Sequence, residues 1–180
     1  MDFGFPAMLA ILFLQGDAWL LRQTLAVCLL HELGHGAAML ITRAGIREIR
    51  FYAAGMQLRT RAVLLSVGQE LAVLLSGPAV NLLAAALLYL CHGSRVLMGL
   101  HLGMGCFNLL PYRILDGGAA LRCLSGEKLW VQEMLTGLCV MLSLCGVILL
   151  GMHGIQNPWL YLMAVYLAVA ELGHHRTKNA

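Results

Sequence analysis

Between Gly68 and Cys91 the chain reads GQELAVLLSGPAVNLLAAALLYLC, twenty-four residues with one charged side chain. A helix needs roughly 20 apolar residues to cross the ~30 Å hydrocarbon core of a bilayer. Runs of comparable length and apolarity occupy residues 4–21, 23–42, 95–111, 131–152 and 158–173, although Gln15, Gly16 and Asp17 interrupt the first. The composition agrees, at 60% hydrophobic and 12% charged, where soluble domains sit near half and a quarter. The 180 residues are therefore expected to form one all-α polytopic membrane domain with about six transmembrane helices. The start, MDFGF, places an Asp where a signal peptide needs positive charge, so the first run is expected to be retained as a span.

Charge placement orients this layout. With a cytoplasmic amino terminus, the inner segments carry Arg43, Arg47, Arg50, Arg59, Arg61, Arg113, Arg122, Lys128, Arg176 and Lys178, whereas the outer ones carry Arg22 and Arg95. Such a bias places both termini on the cytoplasmic side of the cell membrane. The net charge of +3 is small and the basic residues stand singly, so nucleic-acid binding gains no support. The six cysteines contain no C-x-x-C pair and read as small buried hydrophobes.

One segment breaks the helical pattern. In GIREIRFYAAGMQLRTRA, residues 45–62, Met56, Leu58 and Thr60 alternate with Gln57, Arg59 and Arg61, the period of a strand. Ile49 and Phe51 precede them, and Ala54-Gly55 suits a turn. A small β-hairpin at the cytoplasmic membrane face is expected, directly after the second span.

That second span carries HELGH, residues 31–35. Positions i and i+4 share one helical face, about 6 Å apart along the axis, so His31 and His35 can offer two ring nitrogens to one ion. Glu32, at a different azimuth, can reach water beside the ion, which is the physical sense of the H-E-x-x-H zinc motif. A charge at mid-span costs about 2.5–3.5 kcal/mol on insertion scales, so three ionisable groups in five residues call for a bound cation. Gly34 and Gly36 are poor helix formers and mark places where a backbone or a substrate comes close.

A catalytic zinc takes a third protein ligand and leaves one position open. Residue 41, where soluble relatives of the motif place a histidine, is Ile. Glu48 and Glu70 lie in charged, wetted stretches, which makes Asp116, in FNLLPYRILDGGAAL, the better candidate. It follows the fourth span on the inner side; Pro111 breaks that helix, and Gly117-Gly118 are expected to turn the chain tightly after the carboxylate. One Zn²⁺ with two neutral imidazoles and a carboxylate carries a single positive charge, and hydroxide would neutralise it, easing burial. Such an ion lowers the pKa of its water to about 7, and Glu32 is placed to carry the proton.

HELGH, then SGPAVNLL at 76–83, then NLLPYRILDGG at 108–118 resembles, in content and order, the site-2 protease family of intramembrane zinc metalloproteases. The resemblance spans residues 26–120 and is closest to the bacterial sporulation-protease branch, whose members cleave membrane-tethered regulators. It implies zinc held by His31, His35 and Asp116, Glu32 as the base, and Asn108 as a helper at the scissile carbonyl. Gly77, Pro78 and Asn81 would frame the site, with Asn81 alternatively bonded to it. The branch commonly carries a CBS domain after its last span, where this chain has ELGHHRTKNA, so nucleotide sensing is not expected; the histidines of that tail read as solvated.

The expected partners are the lipid bilayer and a membrane-tethered protein substrate; a regulatory membrane partner and a second copy of the chain stay open. Two rival readings remain. A non-catalytic zinc-binding membrane scaffold or transporter would keep the metal without hydrolysis. Haem ligation by His31 or His35 would need a histidine from another helix, such as His101.

Overall fold

The structure is a computed structural model, and it describes residues 18–43, 46–52, 55–60, 65–112, 114–126 and 129–152. The expected first and last spans, 4–21 and 158–173, and the ELGHH tail lie wholly or mostly outside these residues. The chain divides into two compact units, Met1–Asn108 and Leu109–Ala180.

In the first unit, helix α1 (Ala18–Ile41) is followed by strands β1 (Ile46–Tyr52) and β2 (Gly55–Thr60), then helices α2 (Val67–Leu90) and α3 (Arg95–Asn108). α2 packs against both α1 and α3, and β2 lies against α1. α1 and α2, at 24 residues each, extend about 36 Å at 1.5 Å per residue, and both are apolar enough to cross a membrane by length and composition.

What α1 buries is unlike a soluble helix. Its buried stripe is Val27, His31, Gly34, His35 and Met39, while Leu29, Leu33, Leu40 and Ile41 are exposed. Imidazoles inside and leucines outside is the arrangement expected when the surroundings are lipid rather than water. The distribution and the two long apolar helices together point to a membrane protein.

α2 begins at a capping box. Ser66 Oγ accepts from the Gln69 amide at 3.3 Å, and Gln69 Oε1 accepts from the Ser66 amide at 3.0 Å, which satisfies two amides at the helix end. Its buried stripe, Val73, Gly77, Asn81 and Ala85, repeats at i, i+4 and faces its neighbours. Pro78 lies inside the helix and cannot donate to the Leu74 carbonyl.

β1 and β2 pair antiparallel from Ile46↔Thr60 to Tyr52↔Gly55, with a shift in register between Ile46 and Glu48. Gly55 is thus a paired strand residue rather than half of the turn. α3 stops at Asn108, three residues before Pro111, where the sequence suggests a run to 111. Proline disfavours helical backbone at the residue before it, so Leu110 ends the helix early. Asn108 Nδ2 donates to the Met104 carbonyl, one turn back along α3, at 3.0 Å.

The second unit contains helices α4 (Asp116–Ser125) and α5 (Leu129–Met152), which pack together. The stretch before α4 is pinned to α5. Thr136 Oγ1 donates to the Pro111 carbonyl at 2.7 Å, and the Tyr112 and Ser143 hydroxyls are bonded at 2.9 Å. Tyr112 is 1% exposed and Thr136 2%, so these bonds are sheltered from water. Asp116, Gly117 and Gly118 form the first turn of α4, which corrects the expectation that the two glycines make a tight turn. A carboxylate in the first turn is favoured by the free amides and positive end of the helix dipole. Gly117 instead admits a close backbone approach, because a Cβ there would collide with the Leu109 carbonyl and come within 2.7 Å of the Leu110 carbonyl oxygen.

Candidate metal centre

His31 and His35 are one helical turn apart on the buried stripe of α1, at 3% and 8% exposure, and their Nε2 atoms converge to 3.2 Å. Each ring is held from its far side. His35 Nδ1 lies 2.7 Å from the Val73 carbonyl on α2. A carbonyl only accepts, so Nδ1 carries the proton and Nε2 presents a lone pair. His31 Nδ1 lies 3.1 Å from Asn81 Nδ2, and Asn81 Oδ1 lies 3.0 Å from His101 Nδ1. Asn81 is fully buried and His101 nearly so.

The close approach of α1 and α2 depends on glycine. A Cβ on Gly34 would sit 2.9 Å from the Ser76 carbonyl oxygen and 3.2 Å from Gly77 Cα. A Cβ on Gly77 would stand 2.8 Å from His31 Nε2 and closer still to His35 Nε2. Gly77 therefore forms the wall against which both ligand nitrogens rest. Gly36 has open space in the Cβ direction; of the two HELGH-region glycines, Gly34 makes the close approach.

His31 and His35, both buried on α1, and Asp116, half-buried at the start of α4, form a possible metal site. Two nitrogens and a carboxylate oxygen suit zinc, and two imidazole nitrogens bound at about 2.0–2.1 Å to one tetrahedral ion stand roughly 3.4 Å apart. The observed 3.2 Å between the Nε2 atoms fits that requirement. Glu32 follows His31 on α1 and is half-buried. Asn108 closes α3 with its amide nitrogen on Met104. Of the alternative carboxylates, Glu70 is exposed in the first turn of α2.

From the sequence alone Asn81 is ambiguous, and His101 stands out only as a candidate haem ligand. The structure makes them consecutive members of one hydrogen-bonded row ending on His31, with the Asn81 amide between the two rings. The signal available in the sequence is a polar residue at the centre of each of two apolar helices.

A helical membrane protein with a paired-imidazole, carboxylate centre is the class these features define. Among solved structures the chain is similar to the site-2 protease from Methanocaldococcus jannaschii, with a TM-score of 0.62 and 23% identity over 91% of this chain and 82% of that one. At that identity the likeness is one of fold. No family model matches the chain, and no curated protein does.

Proposed function

We propose that this chain is an intramembrane zinc metalloprotease of the site-2 type, hydrolysing peptide bonds in or near the transmembrane segment of membrane-tethered regulatory proteins. The reading is supported by the convergence of the His31 and His35 Nε2 atoms, which with Asp116 form a possible metal site, in a chain with the fold of a site-2 protease. In this reading, residues 1–180 form one membrane domain with six spans and cytoplasmic termini. Six spans with an early HELGH would support the sporulation-protease branch within that reading.

His31, His35 and Asp116 would hold one zinc ion. When bound, zinc supplies Lewis acidity that polarises a peptide carbonyl and makes water nucleophilic near neutral pH. Glu32 takes the proton from the attacking water and returns it to the departing amine. His35 is kept in the ligating tautomer by the Val73 carbonyl, and Gly77 leaves room for both rings. Asn108 Nδ2 spends one N–H on the Met104 carbonyl and has a second with which to donate to the scissile carbonyl oxygen.

A transmembrane substrate arrives as a helix whose amides are internally bonded, and it must be extended before it can be cut. Among the described residues β1 and β2 form a two-stranded sheet, so each has an edge with no described strand beside it. In the proposed mechanism an edge at the cytoplasmic membrane face receives the unwound substrate as an added strand.

The test pairs metal analysis with cleavage of a single-span substrate. Glu32→Gln is expected to retain zinc and lose proteolysis. Retained proteolysis would remove Glu32 from its role as base, and a wild-type protein that holds zinc yet cuts no tethered substrate would refute the protease reading.

A further inference from the structure

The row of groups behind His31 has two self-consistent proton arrangements, and only one of them lets His31 bind a metal. In the arrangement drawn by the structure, His101 Nδ1–H donates to Asn81 Oδ1, and Asn81 Nδ2–H donates to His31 Nδ1. His31 must then carry its proton on Nε2, from which it donates to His35 Nε2 at 3.2 Å, while His35 Nδ1–H donates to Val73 at 2.7 Å. All donors run in one direction, from His101 to the Val73 carbonyl. His31 in that tautomer has no lone pair on Nε2 to give an ion.

Turning the Asn81 amide by 180° exchanges its oxygen and nitrogen in nearly the same space. Oδ1 then accepts from His31 Nδ1–H, and Nδ2–H donates to His101 Nδ1, which must have its proton on Nε2. His31 Nε2 and His35 Nε2 now turn lone pairs toward each other across 3.2 Å, an arrangement that a cation reconciles. The balance closes: His31 moves one proton from Nε2 to Nδ1, His101 moves one from Nδ1 to Nε2, and no proton is gained or lost.

We infer that Asn81 and His101 are positioning residues that couple the tautomer of His31 to metal occupancy, with the Asn81 amide reversing as the ion enters. This rests on His31 being a ligand, as proposed above. Both residues are buried in the interior of the first unit, at 0% and 6% exposure, where each polar atom needs a partner. The tautomer of His101 is therefore tied to which end of the Asn81 amide faces His31.

The experiment uses the full chain in lipid nanodiscs with ¹⁵N-labelled histidine, metal-free and with one equivalent of zinc, reading which ring nitrogen of each histidine is protonated. The metal-free protein is expected to show His101 protonated on Nδ1 and His31 on Nε2. With zinc, His101 Nδ1 becomes unprotonated, His31 Nδ1 becomes protonated, and His35 Nδ1 is protonated throughout. An unchanged His101 tautomer while His31 Nε2 becomes metal-bound would overturn the relay and leave the ligand assignment standing. A His31 Nε2 that zinc never touches would overturn the ligand assignment itself.

Variants supply an independent readout. Asn81→Leu, unable to accept from His31, is expected to weaken zinc binding by about 10–100-fold, the usual effect of losing an outer partner of a ligand. Asn81→Asp, which accepts in either orientation, is expected to keep most of that affinity. Equal losses in the two variants would show that Asn81 merely packs the interior, and would reject the inference.

Discussion

Gly77→Ala adds one methyl group to the wall of the metal centre, and the structure sets its consequences. The new Cβ would stand 2.8 Å from His31 Nε2 and from His35 Cε1. Restoring ordinary contact at about 3.5 Å requires the His31 ring to retreat by roughly 0.7 Å and the His35 ring by more. Metal–ligand distances tolerate about ±0.2 Å, and the rings are tethered from behind, His35 by Val73 and His31 by Asn81. Alanine in a helix gains about 1 kcal/mol over glycine, whereas overpacking costs typically about 1–3 kcal/mol. Stability should therefore fall by no more than about 2 kcal/mol, while zinc affinity should fall at least about tenfold, comparable to losing a supporting contact of a ligand. The assay is zinc competition against a chromophoric chelator, alongside unfolding of the metal-free protein. Unchanged zinc affinity in a folded Gly77→Ala protein would refute the close-contact argument. Gly36→Ala is the control, since its Cβ meets nothing within 4 Å.

Other elements give further expectations. Thr136→Val removes the donor to the Pro111 carbonyl and should cost about 1–3 kcal/mol for the buried acceptor left unpaired, measured by denaturant unfolding; no change would mean that the tie to α5 contributes nothing. Proline at Met56 or Leu58 in β2 removes backbone donors and should lower cleavage of a single-span substrate without altering zinc content; undiminished cleavage would dismiss strand addition. Gly117→Ala should destabilise the chain by about 1–3 kcal/mol through overpacking, because its Cβ meets the Leu109 and Leu110 carbonyls, and an unfolding midpoint equal to wild type would contradict that packing.

How much is legible in the sequence depends on whether the relevant physics is local. The i, i+4 spacing of His31 and His35 is a property of one helix, so their convergence is readable before any fold is known. The length and apolarity of α1 and α2 are readable in the same way. Gly34 and Gly36 look alike in sequence; Ser76 and Gly77 on another helix make only the first indispensable. Asp-Gly-Gly at 116–118 reads as a turn because glycine favours one, yet it opens α4. Gly117 is needed there for the approach of the Leu109 carbonyl, which spacing alone does not reveal. Asn81 and His101 acquire meaning through each other across twenty residues, so neither announces its partner from its own helix.

On the proposed function, one zinc ion is held jointly by His31, His35 and Asp116. Zinc X-ray absorption on the purified full chain, wild type and Asp116→Asn, tests it most directly. One zinc per wild-type chain is expected, with two imidazole nitrogens and carboxylate oxygen at about 2.0–2.2 Å, and a weakened or vacated site in the variant. Absence of stoichiometric zinc from the wild type, or an identical zinc spectrum and content after Asp116→Asn, would contradict it.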